Sequence, residues 1–575
     1  MKKSTQYLVV LVCLTTLNLF FIQSASIRAQ GSNILATLNF DPKVDGYGFE
    51  NYVNKDRNFQ NDLTADDMIR LFGAKAVCIS GDNAQNCVLK AAADEWRKKQ
   101  IEGMNGGHCE GMASTILRMK YGRPFKTRDG TAQSFQPTAT RPFDLKLDEG
   151  LGNYIAYYFI TQTFDEVATP TQATGARGPV AVVNLLIDAM KTGSEIYTLG
   201  FYKYDRTSGK KSDGHAITPT AVEDIGNAFR IHVYDNNYPG ETRYVVVEKE
   251  GKQTWKYVTS TNPNEPAAEY AGDIDTKTLE LTPNSSREKS CYEAPFAGAN
   301  AEKQCIISAA SFAKATTLDF YESPAAKSRI KLRFGDRAEF FLDNDGDMLV
   351  MTPDGKRQGY DPVTNKFYEE IPRAASNLIL GGRGKNLPDY RIPFNANGEP
   401  YTVTFSGKNL KEESMTDFTY SAPGFTVGFE DILLDPVETL TTTISPDGET
   451  ITFTSSADGE TPGIYFTFDT LDDSGASYIA RIDGAQIEAG KTLTAQFDFD
   501  NLKLFFKDND GNQDEYDIEL VRINQDGSRQ NLSKKINQGG GDNFELNVHD
   551  WDGGNSLCVK QDEDNDGFGD EECNP

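Results

Sequence analysis

The second half of this chain leaves the fold the least choice. From about Lys327 onward, short runs alternate apolar and polar residues and are broken by Asp-Gly and Gly-containing turns: "AEFFLDNDGDMLVMTPDGKRQGYDP", "YTVTFSG", "FTVGFED", "TLTTTISPDGETITFTSS", "GIYFTFDTL" and "TLTAQFDFDNLKLFFKDNDG". Alternation with a period of two puts one face of a strand on a core and the other toward water, and Asp-Gly suits a tight turn. Short strands at this spacing predict all-β, sandwich-like modules, one at 327–424 and one at 425–540. The Asp-x-Asp-Gly runs at 343–347 and 508–514 read as hairpin turns. No repeat is strict enough to predict a solenoid.

The first half carries helical periods. "DLTADDMIRLFG" (62–73) predicts a short helix, with Thr64 and Asp67 spaced as a capping box and Gly73 as its stop. "VLKAAADEWRKKQIE" (88–102), "GNYIAYYFITQTF" and "GPVAVVNLLIDAMKTG" (178–193) predict further helices. Strands follow: "EIYTLGFYKY" (195–204), then "HAITPTAVED" and "FRIHVYD" joined by the turn "IGNA". Helices first and an antiparallel sheet second is an α+β order. A chain of 575 residues is too long for one core, and about 150 residues per domain gives three or four.

Lys2 and Lys3, an apolar run from Tyr7 to Ile22, and the small residues Ser24, Ala25, Ser26 and Ala29 predict a secretory signal peptide over 1–29, cut between Ser26 and Gln30. No later segment approaches the roughly 20 apolar residues that span a bilayer. The expectation is a secreted or cell-surface protein with no membrane insertion after cleavage. A formal charge of −27 argues against nucleic acid or an anionic membrane surface as partner, and is compatible with divalent cations. Oligomeric state is not legible.

Of eight cysteines, Cys13 lies in the signal. Six of the others fall into close pairs, 78 with 87, 291 with 305 and 558 with 573. Proximity is the only ground for preferring this among the possible connectivities. It leaves Cys109 single. In "GMNGGHCEGMASTILRMK" a glycine loop delivers Cys109 to the start of a helix whose Met112, Ala113, Ile116 and Leu117 share an apolar face. A helix N-terminus, with its positive partial charge and unpaired N–H groups, favours a thiolate and can help hold an oxyanion. The four histidines are 108, 215, 232 and 549. His108 adjoins Cys109 and should point elsewhere. His215 begins the first strand of the predicted hairpin and Asp235 ends the second, so both fall at one end of the ladder, where a carboxylate can orient an imidazole. His232 falls mid-strand, where a structural role is expected.

Cysteine at a helix start, then a "GHA" strand, then an acid or amide at the end of the next strand resembles the papain-like cysteine peptidases. The motifs "GGHCEGMA" and "GHAITP…IHVYDNNYPG" look like those of a bacterial exported group. The resemblance covers roughly 40–315, within a domain placed at 30–320, and is loose outside the motifs. It implies a Cys109 nucleophile, His215 as acid and base, and Asp235 as orienting group, with Asn236 as the alternative third member. It also implies a peptide or protein substrate, a thioester intermediate and no cofactor for catalysis. "CGSCW" and the upstream helper glutamine are absent, and Asn105, four residues before Cys109, is the nearest amide to donate to an oxyanion. Transglutaminases share the Cys, His, Asp order, so acyl transfer stays open. So does an extracellular binding or adhesion protein whose papain-like domain is catalytically silent.

The tail, placed at 541–575, carries "CVKQDEDNDGFGDEEC". Asp562, Asp564, Asp566 and Asp570, with the Phe568 carbonyl and a tight turn at Gly567, have the spacing of oxygen ligands around calcium. The stretch resembles a thrombospondin type 3 calcium loop.

Overall fold

A computed structural model describes residues 33–53, 59, 63–121, 131–288, 292–297, 337–381, 388–394, 398–469, 475–499, 501–509, 511–538, 543–548, 551 and 559–562. The predicted signal segment, Cys291, Cys305, Cys558, Cys573 and residues 563–575 lie outside them. The two disulfides predicted there are therefore not described, and neither is most of the stretch predicted to bind calcium. Cys78 and Cys87 are disulfide-bonded, as their proximity suggests.

The first half is α+β. Helix α1 (Ala65–Phe72) opens on the expected capping box: the Asp67 N–H donates to Thr64 Oγ1 at 3.2 Å and the Thr64 N–H to Asp67 Oδ2 at 3.0 Å. Next come α2 (Ala91–Glu102), α3 (Cys109–Tyr121), α4 (Glu149–Ile160), α5 (Asp165–Gly175) and α6 (Pro179–Thr192). Helix α5 has no clear sequence signal, since Pro170 lies inside it. An antiparallel sheet follows, built from β1 (Ile34–Thr37), β2 (Tyr197–Tyr204), β3 (Lys211–Asp224), β4 (Ala228–Tyr234), β5 (Thr242–Glu248), β6 (Trp255–Thr259), β7 (Ala268–Gly272) and β8 (Leu279–Pro283). Its order is β8-β2-β3-β4-β5-β6-β7, with β1 on the far half of β3. The sheet curls until the rings of Phe201 on β2 and Tyr270 on β7 stand 5.0 Å apart. Strand β3 starts at Lys211, earlier than expected, so His215 lies inside it, opposite Phe201 of β2.

The second half is a β-sandwich of one nine-stranded and one ten-stranded sheet around a single apolar core. From Ser414 on, consecutive hairpins enter the two sheets alternately. Residues 414–434, 463–483 and 514–538 join the nine-stranded sheet, and 439–455, 492–508 and 543–562 the ten-stranded one. The expected division at 424/425 therefore falls within a hairpin, since Ala422 pairs with Phe425. The expected tail domain starting at 541 is corrected as well: Asn543–Asn547 and Val559–Asp562 form the last hairpin of the ten-stranded sheet. The Asp-x-Asp-Gly runs are also not hairpin turns. Arg337–Leu342 and Asp347–Met351 lie in different sheets, as do Lys503–Asp508 and Asp514–Ile523, so both runs carry the chain across the sandwich.

The two halves share a core. Phe341 and Ile379 of the second half pack among the buried residues of α1 to α4. Helix α2 lies on the nine-stranded sheet. Its Lys99 ammonium donates to Asp417 at 2.7 Å and Glu430 at 3.1 Å, and its Trp96 indole N–H donates to Glu339 at 2.9 Å. The two halves are thus packed together, while the sandwich core itself draws only on residues from 338 onward. Among the described residues no helix is long and apolar enough to cross a membrane.

Candidate functional site

Cys109 is the first residue of α3, so its N–H has no intrahelical acceptor. Gly107, two residues earlier, has φ +130, a conformation that side-chain-bearing residues rarely adopt. The chain can therefore turn into the helix beneath a neighbouring backbone. Helix α3 is tied down beside the cysteine: Arg287 and Thr198 both donate to Glu110 Oε1, Thr198 at 2.8 Å, and all three side chains are buried.

Cys109, His215 and Asp235 expose no surface. His215 Nε2 bonds Asp235 Oδ1 at 2.9 Å. Its other nitrogen, Nδ1, is buried without a protein hydrogen-bond partner that meets ordinary geometry. Cys109 lies near enough to the ring to raise its pKa. The Asp235 carboxylate is saturated with donors: the Asn237 N–H at 2.9 Å, the Tyr257 hydroxyl at 2.7 Å and the Thr259 hydroxyl at 2.7 Å, besides the imidazole. Tyr257 and Thr259 alternate with Trp255 on the buried face of β6. Asn236 is not the orienting group. Its amide donates to the Cys109 carbonyl at 3.0 Å and the Ala216 carbonyl at 3.1 Å, linking the start of α3 to β3.

Burial pulls the His215 pKa down, but the Asp235 carboxylate, then Cys109, push it up further, from 6.5 to about 10. Burial likewise raises Asp235, and the imidazolium with the surrounding donors more than offsets it, holding the carboxyl below the usual range. The pair is an imidazolium and a carboxylate at neutral pH. The stability from the raised imidazole is whole below pH 6.5 and is lost as pH rises through about 10. The stability from Asp235 is present above the ordinary carboxylate range and is lost as pH falls through its depressed value. The melting-temperature gap between wild type and Asp235→Asn is therefore expected to be widest near neutrality and to narrow as pH rises through about 10. Scans of both proteins from pH 7 upward measure it, and a gap that stays constant would contradict the assignment.

The structure separates the remaining sequence candidates from this group. Asn105 is exposed in the turn Gly103–Gly106, while Cys109 is fully buried. Asn51, for which the sequence carries no signal, is buried beside the loop before Cys109, and its Nδ2 donates to the Thr261 carbonyl at 3.4 Å. Its Oδ1 accepts the His108 N–H at 2.8 Å, and a Cβ placed on Gly107 would be 2.9 Å from Asn51 Nδ2 and 3.4 Å from the Gly381 carbonyl oxygen. His108 points away from Cys109: its ring stacks on Tyr52 at 4.1 Å and its Nδ1 bonds the Tyr52 carbonyl at 2.9 Å. His232 pairs with Glu223 at 3.1 Å on the sheet surface. Asp562 ends the last strand, while Asp564, Asp566, Phe568, Asp570 and His549 lie outside the described residues.

The sulfur is covered from the second half of the chain. Leu380 packs with Cys109, Tyr202 and Ala216 in a small apolar cluster, and a methyl group on Gly381 would collide with Cys109 Sγ. No family model matches the chain, and no curated protein or solved structure matches it.

Proposed function

We propose that this protein is an exported cysteine hydrolase with a papain-like first half, acting on peptide bonds. One observation supports the reading: a buried cysteine opens a helix, and near it a buried imidazole is held on Nε2 by a carboxylate while its Nδ1 is left without a protein partner. The Cys109 thiolate attacks a peptide carbonyl. The oxyanion takes hydrogen bonds from the Cys109 N–H and the Asn51 amide, the role first expected of Asn105. His215 gives its proton to the leaving amine, then takes one from the water that cleaves the thioester. Asp235 positions His215 throughout. Export and calcium binding at residues 562–570 belong to the proposal on the sequence alone.

Leu380 and Gly381 cover the thiol, so the test uses both wild type and Leu380→Asp. An epoxide inhibitor directed at cysteine peptidases is expected to alkylate Cys109 in the Leu380→Asp protein. Adding His215→Ala is expected to slow this at least about a hundredfold. A folded Leu380→Asp protein that resists the epoxide would leave the second reading, a silent binding protein, which the burial of Cys109 favours.

A further inference from the structure

Residues 376–378 end the strand Ala375–Leu378, which pairs with Pro388–Arg391 at the edge of the nine-stranded sheet, and the stretch 376–381 also lies against the first half of the molecule. The Ser376 carbonyl accepts from Gln172 at 3.4 Å, and the Asn377 amide donates to the Thr163 carbonyl at 3.2 Å. The Tyr202 hydroxyl stands 3.3 Å from the Leu378 carbonyl. Gln162 takes both backbone groups of Leu380, accepting its N–H at 2.8 Å and donating to its carbonyl at 3.4 Å. The Gly381 N–H donates to the Gly214 carbonyl at 3.1 Å, three residues after His215's strand begins. Each of these partners belongs to the first half, and most contacts are to backbone, as a site that reads an extended peptide requires.

Two side-chain features fix the register. Leu380 fills a slot walled by Gly200 and Gly214, where added Cβ atoms would sit 2.7 Å and 2.8 Å from its methyl groups. Tyr202 and Ala216 close the slot. Gly381 has φ +71 and lies against Sγ, so any larger residue there meets both strain and the sulfur. Its carbonyl oxygen lies by Gly107, where an added Cβ would be 3.4 Å from it.

We propose that residues 376–381 occupy the peptide cleft as the acyl half of a substrate, so that the site takes peptides with a large aliphatic residue followed by glycine and stays closed while this segment remains. The inference rests on the hydrolase reading for the word substrate, but its test does not need catalysis. A small neutral disulfide reagent, with the modified residue mapped by mass spectrometry, reports access to Cys109. Wild type is expected to react slowly. Leu380→Asp and Gly381→Ala, each checked for a cooperative melt, are expected to react at least tenfold faster, with His215 intact or replaced by alanine. A synthetic peptide of residues 377–381, Asn-Leu-Ile-Leu-Gly, is then titrated into Leu380→Asp protein that also carries Cys109→Ala. It is expected to bind at least tenfold more tightly than the same peptide with aspartate for the second leucine, and wild-type protein is expected not to bind it. Unchanged thiol access in the folded variants, or equal binding of the two peptides, would overturn the inference. Faster access and selective binding without epoxide labelling or hydrolysis would uphold the occupied cleft and remove the peptidase reading instead.

Discussion

Asp235→Ala is expected to lower kcat/KM toward a Leu-Gly peptide by about ten-thousand-fold, measured in the Leu380→Asp form whose cleft is open. It is also expected to lower stability by about 3–5 kcal/mol. The two effects share a cause. His215 is fully buried and is kept charged first by the Asp235 carboxylate and then by Cys109. Without Asp235, desolvation has no opponent on that side, so the imidazole sheds its proton and no longer enters the reaction as an acid. The Tyr257 and Thr259 hydroxyls, both aimed at Asp235 Oδ2, lose their acceptor in a dry site. Asp235→Asn separates the contributions. The amide oxygen still accepts from Nε2–H and still fills the space, so more activity and more stability should survive than in Asp235→Ala. Kinetics and chemical denaturation on the three proteins read both. Equal losses from Asn and Ala would mean that charge alone, and not the hydrogen bond to the ring, is what Asp235 supplies.

Arg287→Ala is expected to cost a further about 3–5 kcal/mol at a site that touches no substrate. The guanidinium is buried and donates to Glu110, to the Tyr158 carbonyl at 3.1 Å and to Thr161 Oγ1 at 2.6 Å. Removing it leaves Glu110 buried with the Thr198 hydroxyl, and burial already raises the Glu110 carboxyl above its ordinary value. Glu110 is the residue after Cys109, so the loss falls on the anchor of the helix that presents the sulfur. The paired change Glu110→Gln with Arg287→Met removes both charges and is expected to recover most of the stability, because a buried pair contributes little beyond what its own desolvation costs. Urea denaturation of the single and double variants completes the cycle. A double variant no more stable than Arg287→Ala would show that the hydrogen bonds to Tyr158 and Thr161, and not the unpaired carboxylate, carry the effect.

What the sequence disclosed follows from how local each signal is. The capping box at Thr64, the glycine loop before Cys109 and the 3.6-residue periods of the helices are written within one or two turns, and these elements lie where they were read. His215 and Asp235 were within reach because one tight hairpin joins them, and a hairpin has few registers. Tyr257 and Thr259 could have been found, since alternation along "WKYVT" puts both on the face of Trp255. Asn51, Gln162 and residues 376–381 could not, because each reaches the site from a different part of the chain with no motif of its own. The sandwich was legible as strands and illegible as sheets. "TLTTTI" and "TITFTS" alternate because the outer face of their sheet meets solvent. "GIYFTFD" is buried at nearly every position because α2 covers the other face of the nine-stranded sheet. Which strands lost their alternation was thus a message about a neighbouring helix, and the sequence does not say which helix.

The alternate placement of hairpins makes position along the chain a measure of distance. Each pair of hairpins lengthens both sheets by two strands, and neighbouring strands lie about 4.8 Å apart. Across the ten-stranded sheet, from Lys366–Glu369 to Val559–Asp562, this spacing comes to about 40 Å. The Phe367 N–H on the first of these strands donates to the Ser208 carbonyl, between the two strands that wall the Leu380 slot. Asp562 therefore lies at the opposite margin of the sheet from the strand that borders the Leu380 slot.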